Sequence, residues 1–149
     1  MKIRSLLTLV GLAISFAVPT FAQQTNTPDP KLREALDAFL KKEDEAYLNG
    51  DAAALAALYT EDAVLVNDSG PVYGREAIEK WYADLFKHVH FMSHVLKADQ
   101  DSPRVPGTAG NEVWTNGEWS ITIKGDNFGP LDLKGFWGAV KVRDGDTFN

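Results

Sequence analysis

The amino-acid sequence predicts an α+β fold: one curved antiparallel sheet wrapped as a cone on three helices. Three observations carry this. Apolar residues between Leu32 and Phe86 recur at helical spacing, in segments bounded by capping residues. After His88 the period changes to two and stays there almost to the end. The chain has 149 residues with 44% apolar and 24% charged, and no internal repeat, which suits a single domain.

Each element has its own signal. Asp29-Pro30 opens the first helix, with Asp as N-cap and Pro at the first helical position. Leu32, Leu36, Phe39 and Tyr47, with Ala35 and Ala46, form its apolar stripe. Asn49-Gly50 ends it, because glycine accepts the left-handed cap conformation. Asp51 caps a second, short, alanine-rich helix whose face is Leu55, Leu58 and Tyr59. Ala63–Asn67 is a short strand, followed by a turn at Asp68-Ser69-Gly70-Pro71. A third helix follows Gly74, with Ile78, Trp81, Tyr82, Leu85 and Phe86 as its stripe.

Strands then take over. Val89, Phe91, Ser93 and Val95 alternate with His88, His90, Met92, His94 and Leu96. Residues 99–110 form a Pro/Gly loop. Val113, Thr115, Gly117, Trp119, Ile121 and Ile123 share one face of a long strand, with a bulge expected at Asn116-Gly117 because the alternation continues in phase through it. Gly125–Pro130 turns the chain into a strand over Leu131–Val142, and Arg143–Asp146 makes a hairpin turn. A strand should follow that turn, and only Thr147-Phe148-Asn149 does. The last strand is therefore expected to be missing and the domain clipped. Such a cone leaves a pocket between the concave sheet face and the helices.

Composition narrows the chemistry. The chain has no Cys, which removes disulfides, thiolate metal sites and Cys nucleophiles. Met1–Ala22 reads as a secretory signal peptide: Lys2 and Arg4, an apolar run over Leu6–Val18, and Thr20-Phe21-Ala22 as the cleavage site. The apolar run is shorter than the about 20 residues a membrane span needs. Gln23–Asp29 is a polar leader. The expected location is the bacterial periplasm or the medium, with no membrane association after cleavage. Residues 1–22 hold no acid, so the remainder carries 13 basic against 21 acidic residues, a net −8. A phosphate-tracking surface is not expected from that balance, and nucleic acid is not an expected partner.

The segment Asn49-Gly50-Asp51, followed by Leu58-Tyr59-Thr60-Glu61-Asp62-Ala63-Val64, resembles the corresponding segment of SnoaL-like proteins. These belong to the nuclear-transport-factor-2-like, or ketosteroid-isomerase-like, superfamily. Gly74-Arg75-Glu76-Ala77-Ile78, Gly117-Glu118-Trp119 and Val142–Asp146 are similar to its third helix start and later strands. The resemblance runs from about Leu32 to the C-terminus. It implies the fold, a small-molecule ligand and a homodimer. It also places Glu43 where steroid isomerases keep an oxyanion-donating Tyr, Asn67 where they keep a general-base Asp, and Gly138 near their second oxyanion Asp. None of the three matches, which disfavours isomerisation by that mechanism.

The candidate catalytic residues are Glu43, Asn67, Asp68 and His90. Glu43 lies seven residues, about two turns, after Leu36 on an otherwise apolar stripe. It either faces a pocket, where burial would raise its pKa, or swings to the stripe's edge. Asp44 and Glu45 beside it read as solvated. His88, His90 and His94 read as one strand face, so one imidazole is a general-base or acid candidate. No metal site is expected: His88 and His90 could hold an ion only with a third ligand, His94 lies about 13 Å from His90 on a straight strand, and no acidic residue has an evident bridging spacing. Tyr59, Trp81, Trp119 and Trp137 are the candidate ligand-binding residues, suited to an apolar or ring-shaped ligand. No phosphate loop or dinucleotide fingerprint occurs, and no cofactor is expected. The function expected is an exported small-molecule-binding domain acting as a cofactor-free lyase or isomerase. The alternative is a non-catalytic ligand-binding or dimerisation module of the same fold.

Overall fold

The computed structural model describes residues 28–105, 111–144 and 147–148. The expected signal segment, and the leader up to residue 27, lie outside the described residues. Three helices come first: α1 (Pro30–Asn49), α2 (Ala52–Ala56) and, after a hairpin, α3 (Arg75–Phe86). The hairpin is β1 (Val64–Asn67) with β2 (Gly70–Tyr73). A meander of β3 (Val89–Ala98), β4 (Glu112–Gly125), β5 (Phe128–Asp144) and β6 (Thr147–Phe148) follows. Neighbours in this second sheet run in chain order, all antiparallel. The fold is therefore α+β, as expected.

The local signals at the helices act as read. The Asp29 side chain accepts from Lys31 N–H at 2.9 Å, and Pro30 occupies the first turn. Gly50, at φ 63°, donates its N–H back to the end of α1. The Asp51 side chain accepts from Ala54 N–H at 2.9 Å and starts α2.

Four strand details differ from the expectations. The turn after β1 is two residues, Asp68-Ser69, and Gly70 and Pro71 already pair with Asn67 and Val66 as β2. Gly70 at φ 117° provides the tight reversal. No bulge interrupts β4 at Asn116-Gly117, since its register against both neighbours is unbroken there. Glycine is required at 117 for a different reason: a Cβ would lie 2.0 Å from the Lys97 carbonyl oxygen. The turn into β5 is Asp126-Asn127, and Gly129-Pro130 belong to β5, where a register shift follows Ile123. Finally, Thr147-Phe148 pair with Asp144 and Arg143, so a two-residue sixth strand is present, and Phe148 packs into the core.

The core has two parts. Leu32, Leu36, Phe39 and Leu40 of α1 pack with Ala98, Val113 and Phe148 of the sheet. Ala46, Leu55, Ile78 and Tyr82 join the three helices, with Leu65 and Val72 of the hairpin against them. Leu58 touches both parts. Arg33 ties the start of α1 to the loop after β3, donating to the carbonyls of Ala98, Asp99 and Ser102. The expected Pro/Gly loop is described only to residue 105; in it Arg104 bridges to Trp114.

The long strands curve over α1. Register puts Ala98, Leu96, His94 and Phe91 of β3 on the same sheet face as Gly117, Trp119, Ile121 and Ile123 of β4. Trp137, Ala139 and Lys141 of β5 share that face opposite Gly117, Thr115 and Val113.

Candidate functional site

Between the two core clusters lies a cavity of about 790 Å³. α1 provides Phe39, Glu43 and Tyr47 to its wall, each one turn after the last. Trp81 and Tyr82 come from α3, and Tyr59 follows α2. His94, Trp119, Trp137 and Lys141 come from the concave sheet face. Of the residues expected at the site, the structure brings together Glu43, Tyr59, Trp81, Trp119 and Trp137.

The other three stand apart. Asn67 is at the end of β1 and does not line the cavity. Its Oδ1 accepts from Ser69 N–H at 2.8 Å, which shapes the hairpin turn, while its Nδ2 is buried with no partner among the described residues. Asp68 is exposed in that turn. His90 is exposed on the convex face of β3.

The placement of His90 has a definite cause. Phe91 pairs with Ile123 but Ser93 pairs with Thr122, so Met92 is an extra residue in β3. The bulge reverses the pleat beyond it. Val89 and Phe91 point inward before it, and His94, Leu96 and Ala98 point inward after it. The three histidines therefore do not share a face. His88 is exposed and bonds Asp126 at 2.9 Å, whereas His94 is 8% exposed.

His94 is the residue that strict alternation obscured, and Asp44 is its partner. His94 Nδ1 and Asp44 Oδ1 are 2.6 Å apart, and Asp44 Oδ2 accepts from Leu96 N–H at 3.4 Å. Asp44, expected in solvent, is thus a part-buried member of the site. With Nδ1–H donating to Asp44, the acceptor nitrogen is Nε2, which has no partner among the described residues. Tyr47 stacks on the imidazole at 3.9 Å and 11°. Burial lowers the His94 pKa below 6.5, and the Asp44 hydrogen bond and charge oppose that shift.

Beside the imidazole three phenols form a chain. Tyr82 Oη lies 2.9 Å from Tyr47 Oη and 2.9 Å from Tyr59 Oη. Three hydroxyl protons share two hydrogen bonds, so one O–H remains available to a ligand whichever way the chain is oriented. Burial holds all three above the ordinary phenol pKa, and they remain proton donors at neutral pH.

The remaining titratable pair is Glu43 and Lys141. Burial raises the Glu43 carboxyl; the Lys141 charge lowers it and the Asp44 charge adds to the rise. Burial pushes the Lys141 amine down to about 8, against the pull of Glu43. Lys141 Nζ sits 3.5 Å from the centroid of the Phe39 ring. Lys141 has a sequence signal in its phase: it alternates with Trp137 and Ala139 along β5. Tyr47 and Tyr82 likewise occupy helix-stripe positions, where a buried hydroxyl needs a partner, whereas Tyr59 is among the residues expected at the site.

Helices against one face of a curved antiparallel meander, with a cavity between, define the ketosteroid-isomerase-like fold. Residues 32–146 match the SnoaL-like domain family, and the chain belongs to it. Solved structures agree. A candidate aromatic ring hydroxylase from Novosphingobium aromaticivorans superposes with TM-score 0.67 at 18% identity, over 81% of this chain and 85% of that one. A ketosteroid isomerase-like protein from Erwinia carotovora atroseptica gives 0.61 at 17% identity, over 78% and 85%. The protein Aln2 from a Streptomyces species gives 0.62 at 19% identity, over 81% and 86%. Likenesses at this identity show the fold alone. No curated protein matches the sequence.

Proposed function

We propose that the protein is an exported, cofactor-free lyase or isomerase that moves a proton at a carbon next to a carbonyl in an apolar, ring-bearing small molecule. The observation that carries this is the Asp44–His94 pair, 2.6 Å apart, with the imidazole on the cavity wall beside linked phenols. His94 is neutral at pH 7 and presents Nε2 as general base. Asp44 fixes the tautomer and stabilises the imidazolium that forms. The spare tyrosine O–H donates to the substrate carbonyl oxygen as negative charge develops there. Trp81, Trp119 and Trp137 supply apolar walls that suit a ring. Export rests on Met1–Ala22.

The partner proposed is a second copy. The convex face of the sheet exposes Trp114, Phe136 and Val140 (58%, 81% and 57%), with Trp114 directly opposite Val140. Apolar side chains at this exposure favour burial against another surface. Sedimentation of the parent and of Phe136→Lys tests this. The parent should sediment as a dimer and the variant as a monomer.

The catalytic reading is tested with aryl β-hydroxy ketones and aryl β,γ-enones, following the ultraviolet band of the conjugated enone product. The parent should turn over at least one class. His94→Gln should lose ~10²-fold or more of that rate, the usual worth of a positioned base, while keeping its thermal midpoint within a few degrees. Ligand binding by NMR without turnover of either class would instead establish the non-catalytic module.

A further inference from the structure

The proton-transfer reading leaves Lys141 and Glu43 without a task, yet both line the same cavity. Lys141 is 8% exposed, held on an inward strand position, with its Nζ over an aromatic ring. It makes no hydrogen bond or ion pair with any described residue. Glu43 is near enough for each charge to act on the other. A lysine in an apolar cavity beside a carboxyl has the two groups that imine formation requires, an amine and a proton source.

We propose that Lys141 is a nucleophilic amine that captures an apolar aldehyde or unhindered ketone in the cavity as an imine, with Glu43 as the acid. The neutral Nζ attacks the carbonyl carbon and forms the C–N bond, while the π electrons pass to oxygen. Transfer of one N–H proton to that oxygen gives the carbinolamine. Glu43 then protonates the hydroxyl, the C–O bond breaks, and water leaves. The product is an iminium on Lys141 facing a Glu43 carboxylate, so the site's net charge is that of an ammonium–carboxylate pair. No oxidant or reductant is consumed. An amine titrating at about 8 is about half neutral at pH 8, roughly a hundredfold more than an ordinary lysine near 10.4. Burial of Glu43 favours the protonated acid that the dehydration step uses.

This inference shares the cavity with the proton-transfer reading but does not need His94. The test is reductive trapping. The full chain is incubated at pH 8 with 2-naphthaldehyde and sodium cyanoborohydride, which reduces the C=N bond to a stable secondary amine. Peptide mass mapping then locates the label. Lys141 should be labelled at least tenfold faster than exposed Lys41, Lys97 and Lys124, and its rate should saturate with aldehyde concentration. Lys141→Arg should lose the fast phase, Glu43→Gln should slow it at least fivefold, and His94→Gln should retain it. Equal, non-saturating labelling of exposed lysines in the parent would overturn the proposal without any variant. Labelling of Lys141 unaffected by Glu43→Gln would remove Glu43 as the acid. Loss of labelling in folded His94→Gln would show that the amine does not act independently.

Discussion

At the scale of single residues, the site depends on where one carboxylate, Asp44, meets one imidazole, His94. Asp44 raises the His94 pKa by its hydrogen bond and charge, while burial lowers it more. Asp44→Asn removes the charge, so the His94 pKa should fall further below 6.5 and the ring become a weaker base. An NMR titration of the His94 ring should show that downward shift. Turnover of the substrate found in the panel above should fall at least tenfold, and its acid limb should move to lower pH. An upward shift on Asp44→Asn would contradict the pairing. Glu43 was legible from its spacing after Leu36, because a carboxylate at a core position of a helix stands out. Asp44 was not, because its burial depends on a strand 50 residues away.

At the scale of elements, capping chemistry was readable and pleat phase was not. Asp29, Gly50 and Asp51 act within a few residues of themselves, so the sequence shows where α1 ends and α2 begins. The Met92 bulge is different. A period-two pattern carries no mark of an inserted residue when both neighbours are apolar or ambivalent, and Phe91 and Ser93 are such neighbours. The result is that His90 and His94 exchange roles. Contacts between elements make a sharper prediction at Arg33, whose guanidinium serves three carbonyls at the end of β3 and in the loop after it. Arg33→Met keeps the apolar stem but strands those acceptors. It should lower stability by about 1–3 kcal/mol, the cost of leaving buried acceptors without a donor. Faster amide exchange in residues 98–104, with α3 unchanged, would localise the loss by hydrogen-exchange mass spectrometry.

At the scale of the whole molecule, the cavity makes stability depend on pH. Lys141 titrates at about 8 when folded and near 10.5 when unfolded. Between those values the unfolded chain binds the extra proton, so stability should rise with pH from about 8 to 10.5. Below 8 the burial penalty is fully present. The three linked tyrosines work in the opposite sense above pH 10, where the unfolded chain ionises phenols that the fold keeps protonated. Glu43 also loses its stabilising contribution as pH rises through and beyond 4.5. Urea midpoints of the parent and Lys141→Met should therefore differ at pH 7. The variant should be the more stable, by about 3 kcal/mol at most, and the gap should close as pH rises from 8 to 10. A constant gap would mean that Lys141 is solvated.

The sequence by itself determined the class of fold, the three helices and their caps, the inward face of β4 and the family resemblance. Each of these rests on short-range spacing or on local backbone chemistry. Only the tertiary structure decided which polar side chains meet. It kept Asn67, Asp68 and His90 away from the cavity, brought His94, Lys141, Tyr47 and Tyr82 to its wall beside the expected Tyr59, and set Asp44 against the imidazole. The physical reason is that a cavity is lined by elements far apart in sequence. Their relative phase is set by a single inserted residue in β3 and by the register of β4 and β5, and neither leaves a periodic trace in the chain.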